Sequence, residues 1–145
     1  MTLKLTRSLR IARRMIQGKR PDMRPTPAQK KKLYGLLQKI VRLRDGDMCL
    51  RCSRTDTLQL SHIYPKGRYK LMEFIPSNCK MLCVACHLFF WHRDPIQAHE
   101  WLQTVLRPER LTKLKRMSQT YLGPFDPKLA IIELEQELQK YESRH

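Results

Sequence analysis

The chain has 145 residues, 41% of them hydrophobic, with 29 Lys/Arg against 13 Asp/Glu and a formal net charge of +16. That length accommodates one small core with helical extensions rather than two full domains. No apolar run approaches the roughly 20 residues of a membrane span, and the first residues lack the apolar core of a secretory signal. Five cysteines, four of them in Cys-x-x-Cys pairs, fit thiolate–metal chemistry in a reducing cytoplasm better than disulfides. The expectation is a cytoplasmic protein without a membrane partner.

Residues 1–25 read as a basic arm with little apolar periodicity, broken by Pro21 and Pro25 and expected to be mobile alone. Residues 1–46 together carry 14 Lys/Arg against Asp22 and Asp45. A polyanion is the natural partner for such a segment, because each neutralised phosphate releases condensed counterions. Arg13 and Arg14 in the arm, and Lys30, Lys31 and Lys32 beyond it, are candidate nucleic-acid contacts. Thr26-Pro27 gives an N-cap followed by proline at the first helical position. Leu33, Leu36, Leu37, Ile40, Val41 and Leu43 then make one apolar stripe on a basic helix over 26–46, which the Asp45-Gly46-Asp47 turn ends.

Residues 47–93 change character. Leu58–Ile63 alternates as a strand, Pro65 and Gly67 mark a loop, Pro76–Asn78 a turn, and Lys80–Leu82 a second short strand. A helix follows from about Val84–Cys86 to Trp91–Arg93, where Asp94-Pro95 disfavours continuation. The order is a strand–loop–strand–helix unit, and the fold class is α+β. Residues 94–145 form a helical extension of three helices. One runs from Pro95 to Leu106 with Ile96, Trp101, Leu102 and Val105 inward. The next starts at Pro108 and carries Leu111, Leu114 and Met117. The last follows Asp126-Pro127 to about Glu142, with Leu129, Ile132, Leu134, Leu138 and Tyr141 packing on the core, on the helix after Thr26, or on a partner.

The strongest chemical signal is Cys49-x-x-Cys52 and Cys83-x-x-Cys86, with 30 residues between the pairs. Four thiolates at that spacing close a tetrahedral Zn2+ site with no open position, which makes the zinc structural. It compensates for a core that so short a segment cannot build alone. Cys79 is left over and reads as a small buried apolar residue. Within this frame stand histidines suited to phosphodiester hydrolysis. His62, at a strand end, is the candidate general base, its unperturbed pKa near 6.5 leaving it neutral at pH 7. Asn78 either holds the loop between the strands or accepts the other ring N–H of His62. His87 begins the helix after the second cysteine pair, where it can bind a divalent cation, Mg2+ or Mn2+, that polarises the phosphate. His92 is the natural second ligand, but five residues is an awkward helical step unless the helix bulges near Trp91. Lys66, Arg68 and Lys70, with Tyr69, are placed in the loop to hold flanking phosphates.

Together, Asp45-Gly46-Asp47-Met48-Cys49-Leu-Arg-Cys52, Ser61-His62-Ile63-Tyr64-Pro65, Asn78 and Leu82-Cys83-Val-Ala-Cys86-His87 resemble the zinc-stapled branch of the HNH (ββα-metal) nuclease family. The resemblance covers residues 43–92. It implies a ββα-metal core flanked by N- and C-terminal helices, with His62 as base, Asn78 holding the base-bearing loop and His87 holding the catalytic metal. Most members carry Asp or His just before the base as a ligand, and this chain has Ser61, so either His92 completes the coordination or the metal is weakly held. Members related to the phage NinG/Rap recombination endonucleases also lack that acid, and the basic arm and helical tail look similar to theirs. This likeness implies a DNA endonuclease that nicks or cleaves branched recombination intermediates in the host-cell cytoplasm, alone, as a homodimer, or with a phage or host protein. The alternatives are a non-catalytic zinc module binding DNA or RNA, and the nuclease subunit of a packaging or restriction assembly.

Overall fold

A computed structural model describes residues 24–144. The arm, with Arg13 and Arg14, therefore lies outside the described residues apart from Arg24 and Pro25. Helix α1 spans Pro27–Asp45. Thr26 caps it reciprocally: its Oγ1 accepts from the Gln29 N–H at 3.2 Å, and Gln29 Oε1 accepts from the Thr26 N–H at 2.9 Å. Gly46 ends it with φ +86°, a left-handed turn that a side chain would strain, and its N–H reaches the Arg42 carbonyl.

Strands β1 (Leu58–His62) and β2 (Cys79–Cys83) form one antiparallel pair in which Leu58 faces Cys83, Leu60 faces Met81 and His62 faces Cys79. Alternation sorts the side chains. Leu58, Leu60, Cys79 and Met81 pack on Leu33, Leu37, Ile40 and Val41 of α1. Gln59, Ser61 and Lys80 turn to the other face, where the next helix lies. That helix, α2, is one α turn (Val84–Cys86) passing directly into a π-helical turn (His87–Trp91). Single-turn Lys70–Met72 and Pro76–Asn78 shape the connection between the strands.

Three further helices complete the chain: α3 (Pro95–Val105), α4 (Pro108–Gln119) and α5 (Pro127–Glu142). Asp94 and Asp126 cap α3 and α5 ahead of their prolines, accepting from Gln97 N–H and from Lys128 and Leu129 N–H. The inward face of α3 differs from the sequence expectation. Ile96 is 74% exposed and Val105 41%, while Ala98, Leu102 and Leu106 are buried. Four-residue steps from Ala98 define that stripe, and Ile96 lies on the opposite side. On α5, Leu134 and Leu138 pack against α1, but Leu129 and Ile132 are about half exposed. Cys79 is fully buried, and burial pushes its thiol up to about 12. Among the described residues no helix is long and apolar enough to cross a membrane.

Candidate functional site

The two Cys-x-x-Cys turns are brought together by β2. The first is a tight loop in which Ser53 N–H reaches the Cys49 carbonyl at 2.9 Å, with Ser53 itself at φ +64°. It docks on the second strand through Leu50 N–H to the Met81 carbonyl, also 2.9 Å. In the second turn Cys83 Sγ caps α2, accepting from the Cys86 N–H. The four sulfurs all lie within 4.8 Å of one another, with Cys52 and Cys83 at 3.6 Å. Tetrahedral ligands at about 2.3 Å from one ion would stand about 3.8 Å apart, so the donor set fits zinc. Burial raises the Cys49 pKa but main-chain N–H groups outweigh it, to about 7, whereas burial and neighbouring thiols push Cys86 up to about 12.

Beside this centre a cleft of about 840 Å³ is lined by Tyr34, Gln38, His62, Lys66, His87 and His92, among others. His62 ends β1 and is half-buried. Its Nε2 stands 2.8 Å from the main-chain carbonyl of Glu73. A carbonyl only accepts, so in the neutral ring Nε2 carries the proton and Nδ1 keeps the lone pair. Burial is the largest influence on this ring and pulls its pKa below 6.5.

Asn78 is fully buried and serves the loop rather than the ring. Its Oδ1 accepts from Tyr64 N–H at 2.8 Å, and its Nδ2 donates to the carbonyls of Tyr64 (3.1 Å) and Met72 (3.0 Å). Of the two roles open to it in the sequence, it takes the first. The ring N–H of His62 belongs to Glu73, a residue that carries no motif and acts through its backbone. The Glu73 side chain is held in turn by the Tyr34 hydroxyl, which also accepts from Lys66 Nζ at 3.2 Å. Burial and the Glu73 carboxylate raise the Tyr34 pKa well above its usual value. Tyr34, on α1, was not legible as a site residue, because its contact with Glu73 spans 39 positions.

The π turn places His92 against His87. Its i→i+5 hydrogen bond, His92 N–H to the His87 carbonyl at 3.1 Å, adds the residue that a regular helix lacks. The two Nε2 atoms come within 2.9 Å, the spacing of adjacent ligands on one ion at about 2.1 Å. Gln59 Oε1 lies 2.8 Å from His87 Nδ1. Donation from Nδ1 to this oxygen leaves Nε2 with its lone pair, the arrangement of an outer-sphere partner to a ligating imidazole. Burial first, and then His92, lower His87 to about 4. Among the described residues only the four cysteines gather three or more metal-type side chains, so the histidine pair stands without a carboxylate.

Ser61 faces inward and is buried. Its Oγ accepts from Lys80 Nζ at 3.0 Å, and that ammonium lies 3.2 Å from the centre of the Trp91 ring. Lys80 is completely buried, with no carboxylate paired to it among the described residues, and desolvation takes its pKa well below the ordinary lysine value. The other basic candidates divide. Lys66 borders the cleft, Arg68 lies over Tyr69, and Lys70 is exposed in the Lys70–Met72 turn. Lys30 and Lys31 are exposed on α1, but Lys32 pairs with Glu135 of α5 at 2.8 Å. No protein-family model, no curated protein and no solved structure matches this chain.

Proposed function

We propose that the chain is a zinc-stapled endonuclease of the HNH type that hydrolyses DNA phosphodiesters. The observation that carries this reading is convergence on one cleft. A histidine whose Nε2 proton is committed to a carbonyl, a pair of imidazole nitrogens 2.9 Å apart and a lysine share its walls. His62 takes the proton of the attacking water at Nδ1. Glu73 fixes the tautomer that makes this possible, and Asn78 holds the loop between them. Lys66 holds a phosphate against the cleft wall. His87 and His92 would hold a divalent cation, Mg2+ or Mn2+, which would supply Lewis-acid stabilisation of the charge on the leaving oxygen.

Where the resemblance leads one to look for an acidic ligand, Ser61 is committed to Lys80. Coordination therefore rests on the two histidines. One site makes one nick per binding event, so cutting both strands or a junction takes two copies. The Ser61–Lys80 pairing also favours a second reading, a zinc module that binds nucleic acid without cutting it. Supercoiled plasmid separates the two. Zinc-loaded protein with Mn2+ or Mg2+ should produce nicked circles, and His62→Ala should bind equally without nicking. Binding with no nicking in either metal selects the module. A panel of duplex, single-stranded, flap and four-way-junction DNA then reads the preferred substrate.

A further inference from the structure

The turn that carries Asn78 is gripped from outside at every carbonyl. Arg44, on α1, donates Nη1–H to Pro76 O at 2.7 Å and Nη2–H to Cys79 O at 2.6 Å. Arg110, on α4, donates Nε–H to Ser77 O and Nη2–H to Cys79 O, both at 2.9 Å. The remaining carbonyl, that of Asn78, accepts from Ile63 N–H at 2.8 Å. Arg44 is itself anchored by Asp45 through two hydrogen bonds. Arg110 has no such carboxylate partner among the described residues and shares the Cys79 carbonyl with a like charge. Burial and the neighbouring Arg44 bring it down to about 10.

We propose that Arg110 is a positioning residue for the cutting centre: with Arg44 it fixes the Pro76–Cys79 turn, and through Asn78 it fixes the loop that carries His62. The inference rests on the nuclease reading above. The chain that follows His62 and the chain that presents the carbonyl to its ring are both tied to this turn. Asn78 binds the backbone of Tyr64, two residues beyond His62, and the carbonyl of Met72, next to the Glu73 carbonyl that holds Nε2. A guanidinium suits the task because its rigid fork spans two carbonyls at once, which one ammonium cannot do with the same geometry. Arg110 thereby contributes to chemistry from the C-terminal extension without itself lining the cleft.

The test uses the full zinc-loaded chain with Arg110→Ala and Arg110→Lys, in single-turnover nicking of supercoiled plasmid across DNA concentrations. Arg110→Ala should lower the rate at saturating DNA by about 10- to 100-fold. Zinc content and the half-saturating DNA concentration should hold. Added ethylguanidinium should restore part of the rate, and Arg110→Lys should stay low. The Asn78 side-chain amide protons, buried and hydrogen-bonded, should exchange slowly in the wild type and fast in Arg110→Ala. An Arg110→Ala rate within about twofold of wild type, or full activity in Arg110→Lys, overturns the proposal. If Arg110→Ala does not fold, Arg110→Gln fills the space with fewer donors and is judged by the same readings. A wild type that nicks no DNA defeats the nuclease reading, and the Asn78 exchange rates still decide the clamp.

Discussion

At the scale of single residues, the site is organised by backbone carbonyls as much as by side chains. The Glu73 carbonyl holds the His62 proton on Nε2, and burial draws the ring below its usual pKa of 6.5. In the proposed reaction the neutral ring is the active form. A lowered pKa therefore extends activity to lower pH, and the acid limb of the rate at saturating DNA should be centred below pH 6.5. A pH–rate profile checks this, and an acid limb centred above pH 6.5 would assign the base to another group. Asn78→Ala should behave differently from His62→Ala. It strips partners from Tyr64 N–H, Tyr64 O and Met72 O, at a cost on the order of 2–4 kcal/mol in urea unfolding, whereas His62→Ala should cost less stability. Equal losses in the two variants would contradict the stapling role of Asn78. His62, Asn78 and the cysteines could be singled out in the sequence because spacing marks them. Glu73, Tyr34, Gln59 and Arg110 could not, because they act through main-chain carbonyls or across long sequence separations.

At the scale of elements, local signals located most boundaries, and packing decided which faces were covered. Thr26-Pro27, Asp94-Pro95 and Asp126-Pro127 each mark a helix start by capping chemistry that needs no tertiary partner. Exposure of Ile96, Leu129 and Ile132 depends on where neighbouring helices lie, which a hydrophobic residue alone does not reveal. The π turn falls between these cases. A five-residue step joins two histidines only if one extra residue enters the turn, and His87–Trp91 supplies it. Upstream of that turn, the cysteine cluster ties Cys49 and Cys52 to the end of β2 over separations that a small core would not stabilise by itself. Cys83→Ser should therefore abolish cooperative unfolding and the bound zinc together, because metal binding and folding are coupled. Thermal melts with zinc determination on the same sample decide the point, and a zinc-free variant that still melts cooperatively would refute a structural site.

At the scale of the whole molecule, the charge of +16 is distributed rather than uniform, and α1 shows how. Tyr34 and Gln38 line the cleft. Lys30 and Lys31 stand four and three residues before Tyr34, one turn away on the same side of the helix, and both are exposed. Lys32 lies on the side that meets α5 and is paired with Glu135. If DNA passes along the cleft, its phosphates run past Lys30 and Lys31 and not past Lys32. Neutralising both of the first two should weaken binding to all sequences alike. It should also make the salt dependence of log K shallower, by about 0.9 units for each phosphate no longer neutralised. Lys32→Ala should leave the slope unchanged and cost at most about 1 kcal/mol of stability, as an exposed ion pair does. Rates at saturating DNA should hold in both variants, since neither position is placed near the histidines. Titrations over a series of salt concentrations distinguish the cases. An equal change of slope for Lys32→Ala and the Lys30/Lys31 double variant would mean that DNA contacts the helix by net charge alone, without the orientation that the cleft imposes.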